Sequence, residues 1–408
     1  MDRRTLLLIV CAFAITRLAG VWLADHPVAY GRDVTGDVAT YESKAEAIID
    51  EGWAPYSNVP VEYPPGALPF LLAPEIGFDD ISFRVKFIAL MLAVDILGLI
   101  GLMRLAGRWG SPLGCWLWIA LVPLLGPLVY LRLDLAPAVA TIWALERASV
   151  GGSFGTGAWL GFGTIAKLYP VFFLLPGLSS TRRRALLMAG VVVLTIPVLA
   201  LGGGLDDLYR TVFGYHATRS VQVESTWATG LLLAMRQGYE SVIRLNFGAF
   251  HIEGGVASLV KTIGTVVSLA ALASVIVLSL RRVGRGAARA LAAACFTILV
   301  VSMATGLVLS PQFFVWIFAL AAVTLADPAT PMRLTALLLL PAAALTQWVF
   351  PFLYEPILEL DALGLFVLSL RNLFLVTVAA IAVTKLYGMP RALVGGREEA
   401  ASPAPATS

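Results

Sequence analysis

Long apolar runs, cut at intervals by small groups of arginine, dominate this chain and leave few folds open to it. After Met1-Asp2-Arg3-Arg4 an apolar run reaches about Trp22, and further runs cover roughly 82–104, 113–131, 134–149, 184–202, 256–280, 287–309, 312–326, 332–351 and 362–386. A bilayer core takes about 17–25 helical residues, so most of these runs are long enough to cross it, 134–149 and 312–326 being short. The first run is too long for a signal-peptide core and no small-residue cleavage site follows it. Hydrophobic residues make up 59% of the chain and charged ones 13%, against about 45–50% and 25% in ordinary soluble domains. That balance excludes a soluble enzyme and a disordered chain, and the net charge of +3 is too small to imply a nucleic-acid partner. The expected fold is an all-α polytopic bundle of about 10–12 transmembrane helices.

Arginine placement orients the bundle, because Lys and Arg in short loops stay on the cytoplasmic side. Arg104/Arg108, Arg182/Arg183/Arg184, Arg281/Arg282/Arg285 and Arg391/Arg397 all fall there if 154–177 enters and leaves on one side. That stretch is broken by Gly155, Gly157, Gly161, Gly163, the run Lys167-Leu168-Tyr169-Pro170 and Pro176, so it reads as a helical hairpin. Irregular backbone at membrane depth survives only inside protein or beside a wet cavity. Both termini are then cytoplasmic in a multi-pass cell-membrane protein. One membrane domain, 1–395, sends two large pieces outward, 25–81 and 203–255, and the small polar tail 396–408 is expected to be disordered. Cys11, Cys115 and Cys295 lie far apart in apolar runs and read as small buried hydrophobes. With His26, His216 and His251 dispersed, no metal site is expected and no cofactor is predicted.

Chemistry-bearing residues gather in the outward pieces. From Asp37 to Ile49 the spacing of Val38, Tyr41, Ala45 and Ile48 is that of an interfacial amphipathic helix. Asp37 opens it, either as a helix cap or as a carboxylate whose direction the helix fixes. Tyr63-Pro64-Pro65-Gly66 closes this loop with a rigid turn. Arg132 and Asp134 stand at the outer ends of two consecutive runs, and Lys167 lies at the hairpin break beside Tyr169. Ionisable groups at such depth pair or work. Arg132 and Asp134 either pair with each other or leave Arg132 for an anionic ligand, and Lys167 calls for a phosphate. In the second outer piece His216, Arg219, Gln222, Glu224 and Trp227 form a polar set with an aromatic face, suited to a sugar. Gln312 opens a span, and Arg371 interrupts the last one, where it needs a partner. A carboxylate among cations fits transfer of a sugar from a lipid phosphate to a hydroxyl, the carboxylate taking the proton and the cations stabilising the departing phosphate. No phosphate loop or dinucleotide fingerprint is present, which suits a lipid-linked donor. A polytopic lipid transporter or flippase is the alternative; it requires related halves with matching broken helices.

The ordered patterns Asp37-x-x-x-Tyr41, Gly52-x-x-Pro55-Tyr56, Glu62-Tyr63-Pro64-Pro65-Gly66, Arg132-x-Asp134-x-x-Pro137-Ala138, Lys167-Leu168-Tyr169-Pro170, Tyr215-His216-x-x-Arg219-x-x-Gln222-x-Glu224-Ser225, Ser310-Pro311-Gln312 and Arg371-Asn372 resemble the GT-C glycosyltransferases. They resemble in particular glycosyltransferase family 87, which includes the actinobacterial mannosyltransferases that use polyprenyl-phosphate-mannose. The resemblance implies an inverting transfer outside the cytoplasmic membrane, with a polyprenyl-phosphate-sugar donor, a glycolipid or glycan acceptor and a first-loop aspartate as base. Asp37 matches that aspartate and Asp33 is a second acid candidate. Arg132, Lys167, His216 and Arg219 would hold the donor phosphate. Tyr41, Tyr63, Asp134, Tyr169, Gln222, Glu224, Trp227, Gln312 and Arg371 would surround the sugars.

Overall fold

The computed structural model describes residues 1–77, 80–177, 189–195, 205–214, 219–284 and 287–390. Helix α1 is Arg3–Asp25 and the amphipathic helix of the first outer piece, α2, is Gly36–Ile49. There follow α3 (Phe83–Trp109), α4 (Leu113–Leu125, continued by a tighter turn to Tyr130) and α5 (Leu135–Ser149). The hairpin region holds α6 (Ser153–Ala166) and α7 (Val171–Gly177). After the second outer piece, with helix α8 (Thr226–Arg236), come α9 (Gly255–Arg282), α10 (Ala288–Thr305) and α11 (Phe313–Leu325). The last two are α12 (Arg333–Gln347, continuing irregularly to Phe352) and α13 (Ala362–Gly388).

Seven of these helices are long and apolar enough to cross a membrane, which makes the protein membrane-embedded. The two short runs have a physical explanation. Nearly every residue of α11 is buried, as are most of α5, and a helix wrapped by protein on all sides need not match the bilayer thickness. By contrast α1 and α9 expose most of their apolar surface, as lipid-facing helices do. Cys11 lies on that exposed face of α1, whereas Cys115 and Cys295 are buried as expected.

Buried polar clusters pin the helices. Arg17 of α1 donates Nε to Asp95 Oδ2 of α3 at 2.9 Å, and Asp95 also accepts from Trp118 Nε1 and Tyr130 Oη, both at 2.7 Å. At one end of the bundle Glu146 gathers Arg104, Arg108 and Arg147. Arg289 pairs with Asp327 and packs over Trp109 there, and Arg282 donates to the Met389 carbonyl. Arg3 and Arg4 begin α1 at this same end, since the far end of α1, Asp25, pairs with Arg84 at the start of α3. The arginines that close α3, α5 and α9 thus collect at one end, opposite the outer pieces.

One feature departs from the sequence reading. The second outer piece contains a small antiparallel sheet, β1 (Val221–Gln222), β2 (Val242–Asn246) and β3 (Ala249–Glu253), in the order β1-β3-β2. Its hairpin turns at Phe247 (φ 54°) and Gly248 (φ 66°), the left-handed pair of a tight two-residue turn. The break at Lys167 is where it was expected, with Lys167 itself extended between α6 and α7. Whether the hairpin leaves on the side it entered falls on 178–188, outside the described residues, as do His216, most of the 184–202 run, Arg285 and the tail.

Candidate active site

At the end opposite the Glu146 cluster a cavity of about 1000 Å³ opens. Its first wall is one face of α2. Positions i, i+3, i+4 and i+7 share a helical face, so Asp37, Thr40, Tyr41 and Lys44 line it as a stripe, while Val38 and Ala45 anchor the helix in the core. Thr35 occupies the cap position and Asp37 the first turn, so the Asp37 carboxylate is not consumed by capping. It forms an ion pair with Arg132 instead, Oδ2 to Nε 2.7 Å. Arg132 also donates to the carbonyls of Val34 and Leu131 at 3.2 and 2.9 Å. Its guanidinium is buried behind Asp37 and does not line the cavity.

Asp33 lies outside the cavity. Its Oδ1 accepts from the Thr35 N–H and hydroxyl at 2.8 and 2.6 Å, which holds its carboxyl below the usual range. That turn launches α2, so Asp33 orients the helix that carries Asp37.

The second wall is the hairpin break. Lys167 donates to Asp134 Oδ1 at 2.7 Å, and Trp316 Nε1 donates to the same oxygen at 2.6 Å. Arg132 and Asp134, neighbours in sequence, therefore each pair elsewhere. The Lys167 ammonium sits among three rings, 4.9 Å from the Trp316 centroid, 5.3 Å from Tyr63 and 5.7 Å from Phe313, an arrangement that stabilises a cation by its contact with ring faces. Tyr169 stacks on Trp316 at 4.4 Å. Tyr63 reaches this group through Pro64-Pro65-Gly66, where a Cβ on Gly66 would lie 2.8 Å from the Ile165 carbonyl carbon. Only glycine lets the turn rest on α6 two residues before Lys167. The Tyr41 and Tyr63 hydroxyls meet at 3.2 Å, and burial holds both phenols far above the usual value, so they stay neutral.

The roof comes from the second outer piece: Arg210, Arg219 and the hairpin tip Phe247–Ala249. Arg219 Nε approaches His251 Nε2 at 3.4 Å, and burial together with that guanidinium lowers the His251 pKa, favouring neutral imidazole. Ser310 and Gln312 line the cavity from the start of α11.

Gln222, Glu224, Trp227 and Arg371 stand off the cavity and brace it. Gln222 Oε1 accepts from the Leu309 N–H at 2.8 Å and its amide reaches Ser310 Oγ at 3.4 Å, fixing the segment that leads into Ser310. Trp227 Nε1 donates to the Thr305 carbonyl at 2.6 Å. Arg371 finds the partner it needs in Glu224, donating to its backbone carbonyl at 2.8 Å and lying 3.6 Å from its carboxylate. Burial pushes the Glu224 carboxyl up to about 7.

The cavity thus unites Asp37, Tyr41, Tyr63, Lys167, Tyr169, Arg219 and Gln312 of the residues singled out in the sequence. It adds Lys44 and Glu62, an ion pair on the α2 side, and Arg210. Lys44 was signalled by its place seven residues after Asp37. Among the described residues no group of three or more His, Cys, Asp or Glu side chains is set to hold a metal ion.

The family model for glycosyltransferase family 87 matches residues 62–311, more than half of the chain. The chain belongs to glycosyltransferase family 87. It is therefore a membrane-embedded glycosyltransferase. The matched segment runs from Glu62 through the Arg132, Lys167 and Arg219 regions to Pro311, so it contains the hairpin break and the roof; the α2 wall with Asp37 precedes it. No curated protein matches the chain.

Proposed function

We propose that this family 87 enzyme transfers a sugar, mannose in the first instance, from a polyprenyl phosphate to a hydroxyl of a glycan or glycolipid, with inversion and with Asp37 as general base. One arrangement supports the reading: a carboxylate fixed by a buried arginine shares a single cavity with Lys167, Arg210 and Arg219. Arg132 occupies Oδ2 of Asp37 and holds the carboxylate at the cavity wall, leaving Oδ1 for the acceptor. In the reaction the acceptor oxygen bonds to the anomeric carbon as the bond from that carbon to the phosphate oxygen breaks. The hydroxyl proton passes to Asp37, and the electron pair of the broken bond leaves on the phosphate. Cations at that oxygen stabilise the charge as it develops. Lys167 is poised for this because its ammonium, already partly neutralised by Asp134, opens to the cavity. The apolar and aromatic surfaces of Leu168, Phe172 and Phe313 suit the first isoprene units.

In this reading the end of the bundle that gathers Arg104, Arg108, Arg147 and Arg282 faces the cytosol, as the preference of short basic loops supports, and the cavity opens on the outer face of the cell membrane. The test uses the purified protein in nanodiscs with polyprenyl-phosphate-mannose and octyl α-mannoside. The expected result is a mannosylated product whose new linkage has the configuration opposite to the donor's, read by NMR. Retained configuration, or donor consumption from a pentose carrier alone, would overturn the mechanism or the sugar respectively.

A further inference from the structure

The α2 wall holds a second charged pair that the transfer chemistry does not use. Lys44 and Glu62 form an ion pair on the cavity surface, with side chains 15% and 24% exposed. Lys44 spends one of its three donors on Glu62 Oε2, and Glu62 Oε1 accepts no hydrogen bond among the described residues. A donor and an acceptor side by side match a sugar hydroxyl, whose hydrogen is given to the carboxylate while its oxygen accepts from the ammonium.

Position turns this pair into a statement about the acceptor. Lys44 follows Asp37 by two helical turns on the same face, a rise of about 10 Å. That exceeds the span of one pyranose ring. The cavity extends from Asp37 toward Lys44 and not the other way, since none of residues 31–36 lines it. In an inverting displacement the acceptor approaches opposite the leaving phosphate, so it lies against the wall that carries the base. The rest of the acceptor must then run along α2.

We propose that Lys44 and Glu62 form a second sugar subsite, which binds the acceptor sugar next to the one that reacts, so that the acceptor is a glycan of at least two sugars. This rests on the assignment of Asp37 as base in the preceding reading. The probes are octyl α-mannoside and octyl α-dimannoside, assayed with polyprenyl-phosphate-mannose. The full-length enzyme should favour the disaccharide in kcat/KM by roughly tenfold or more, through KM, as one or two charge-assisted hydrogen bonds allow. Glu62→Gln and Lys44→Met should each collapse that preference ratio, and Glu62→Asp should restore part of it. Equal use of both probes by the unmutated enzyme would overturn the subsite. So would variants that lower both activities in proportion, the signature of a merely structural pair. If the donor reading itself is wrong, the unmutated enzyme transfers mannose to neither probe. If only the subsite is wrong, transfer proceeds and ignores the second sugar.

Discussion

Removing the Lys167 ammonium separates the two jobs this residue holds, one structural and one chemical. The Asp134 carboxylate is 1% exposed and keeps only Trp316 Nε1 on Oδ1 once Lys167 is gone; Oδ2 has no partner. At 2.7 Å and an effective dielectric near 20, the gross attraction is about 6 kcal/mol. Most of that offsets desolvation, and stripping one partner from a buried pair costs about 3–5 kcal/mol because the other charge is left stranded. Lys167→Met should therefore destabilise by that amount. Asp134→Asn should cost less, about 1–3 kcal/mol, because the ammonium still touches three rings and the cavity. The double variant should be clearly more stable than the sum of the two, a coupling of about 2–3 kcal/mol within the usual range for residues in contact. Unfolding in mixed micelles, followed by tryptophan fluorescence, reads these differences. Transfer should not follow them: the double variant regains stability and remains inactive, because nothing replaces the cation beside the departing phosphate. A double variant that regains both stability and turnover would make Lys167 a structural residue and refute its part in the reaction.

Two further outcomes follow from the same geometry. Gly66→Ala places a methyl group under 3 Å from the Ile165 backbone. It should cost about 1–3 kcal/mol and depress kcat by displacing Tyr63 from Lys167, whereas wild-type stability with normal turnover would show that the turn does not set this register. Burial raises the Glu224 pKa from 4.5 to about 7. Its contribution to stability is present in full below pH 4.5 and lost as pH rises to 7, on the order of 3 kcal/mol. Apparent melting temperature should thus fall between pH 5 and 8 less steeply in Glu224→Gln than in the unmutated protein; an unchanged pH slope would contradict this.

The spans were legible because hydropathy and the glycine-proline break are properties of local sequence. The α2 stripe was legible for the same reason, the 3.6 period placing Asp37 and Tyr41 on one face. Pairing was not. Arg132 and Asp134 are two residues apart, yet the turn into α5 sends one side chain to α2 and the other to Lys167, a choice made only by tertiary packing. Arg17 and Asp95 went unnoticed because each is a single charge in a long apolar run, and their meeting across α1 and α3 leaves no local trace. The sheet was missed because β1 is only two residues long and the alternation in β2, Ile243-Arg244-Leu245-Asn246, is too short to mark a strand by itself. The one local signal was Asn246-Phe247-Gly248 between two β-rich runs.

The most direct measurement is single-turnover transfer by Asp37→Asn with the donor bound beforehand. An amide keeps the shape but cannot take a proton. Donor affinity should stay close to that of the unmutated enzyme, while the transfer rate falls by about 10²–10⁴-fold, the usual contribution of a positioned general base. A rate within a few-fold of the unmutated enzyme, with donor fully bound, would contradict the assignment of Asp37 and with it the account of the cavity.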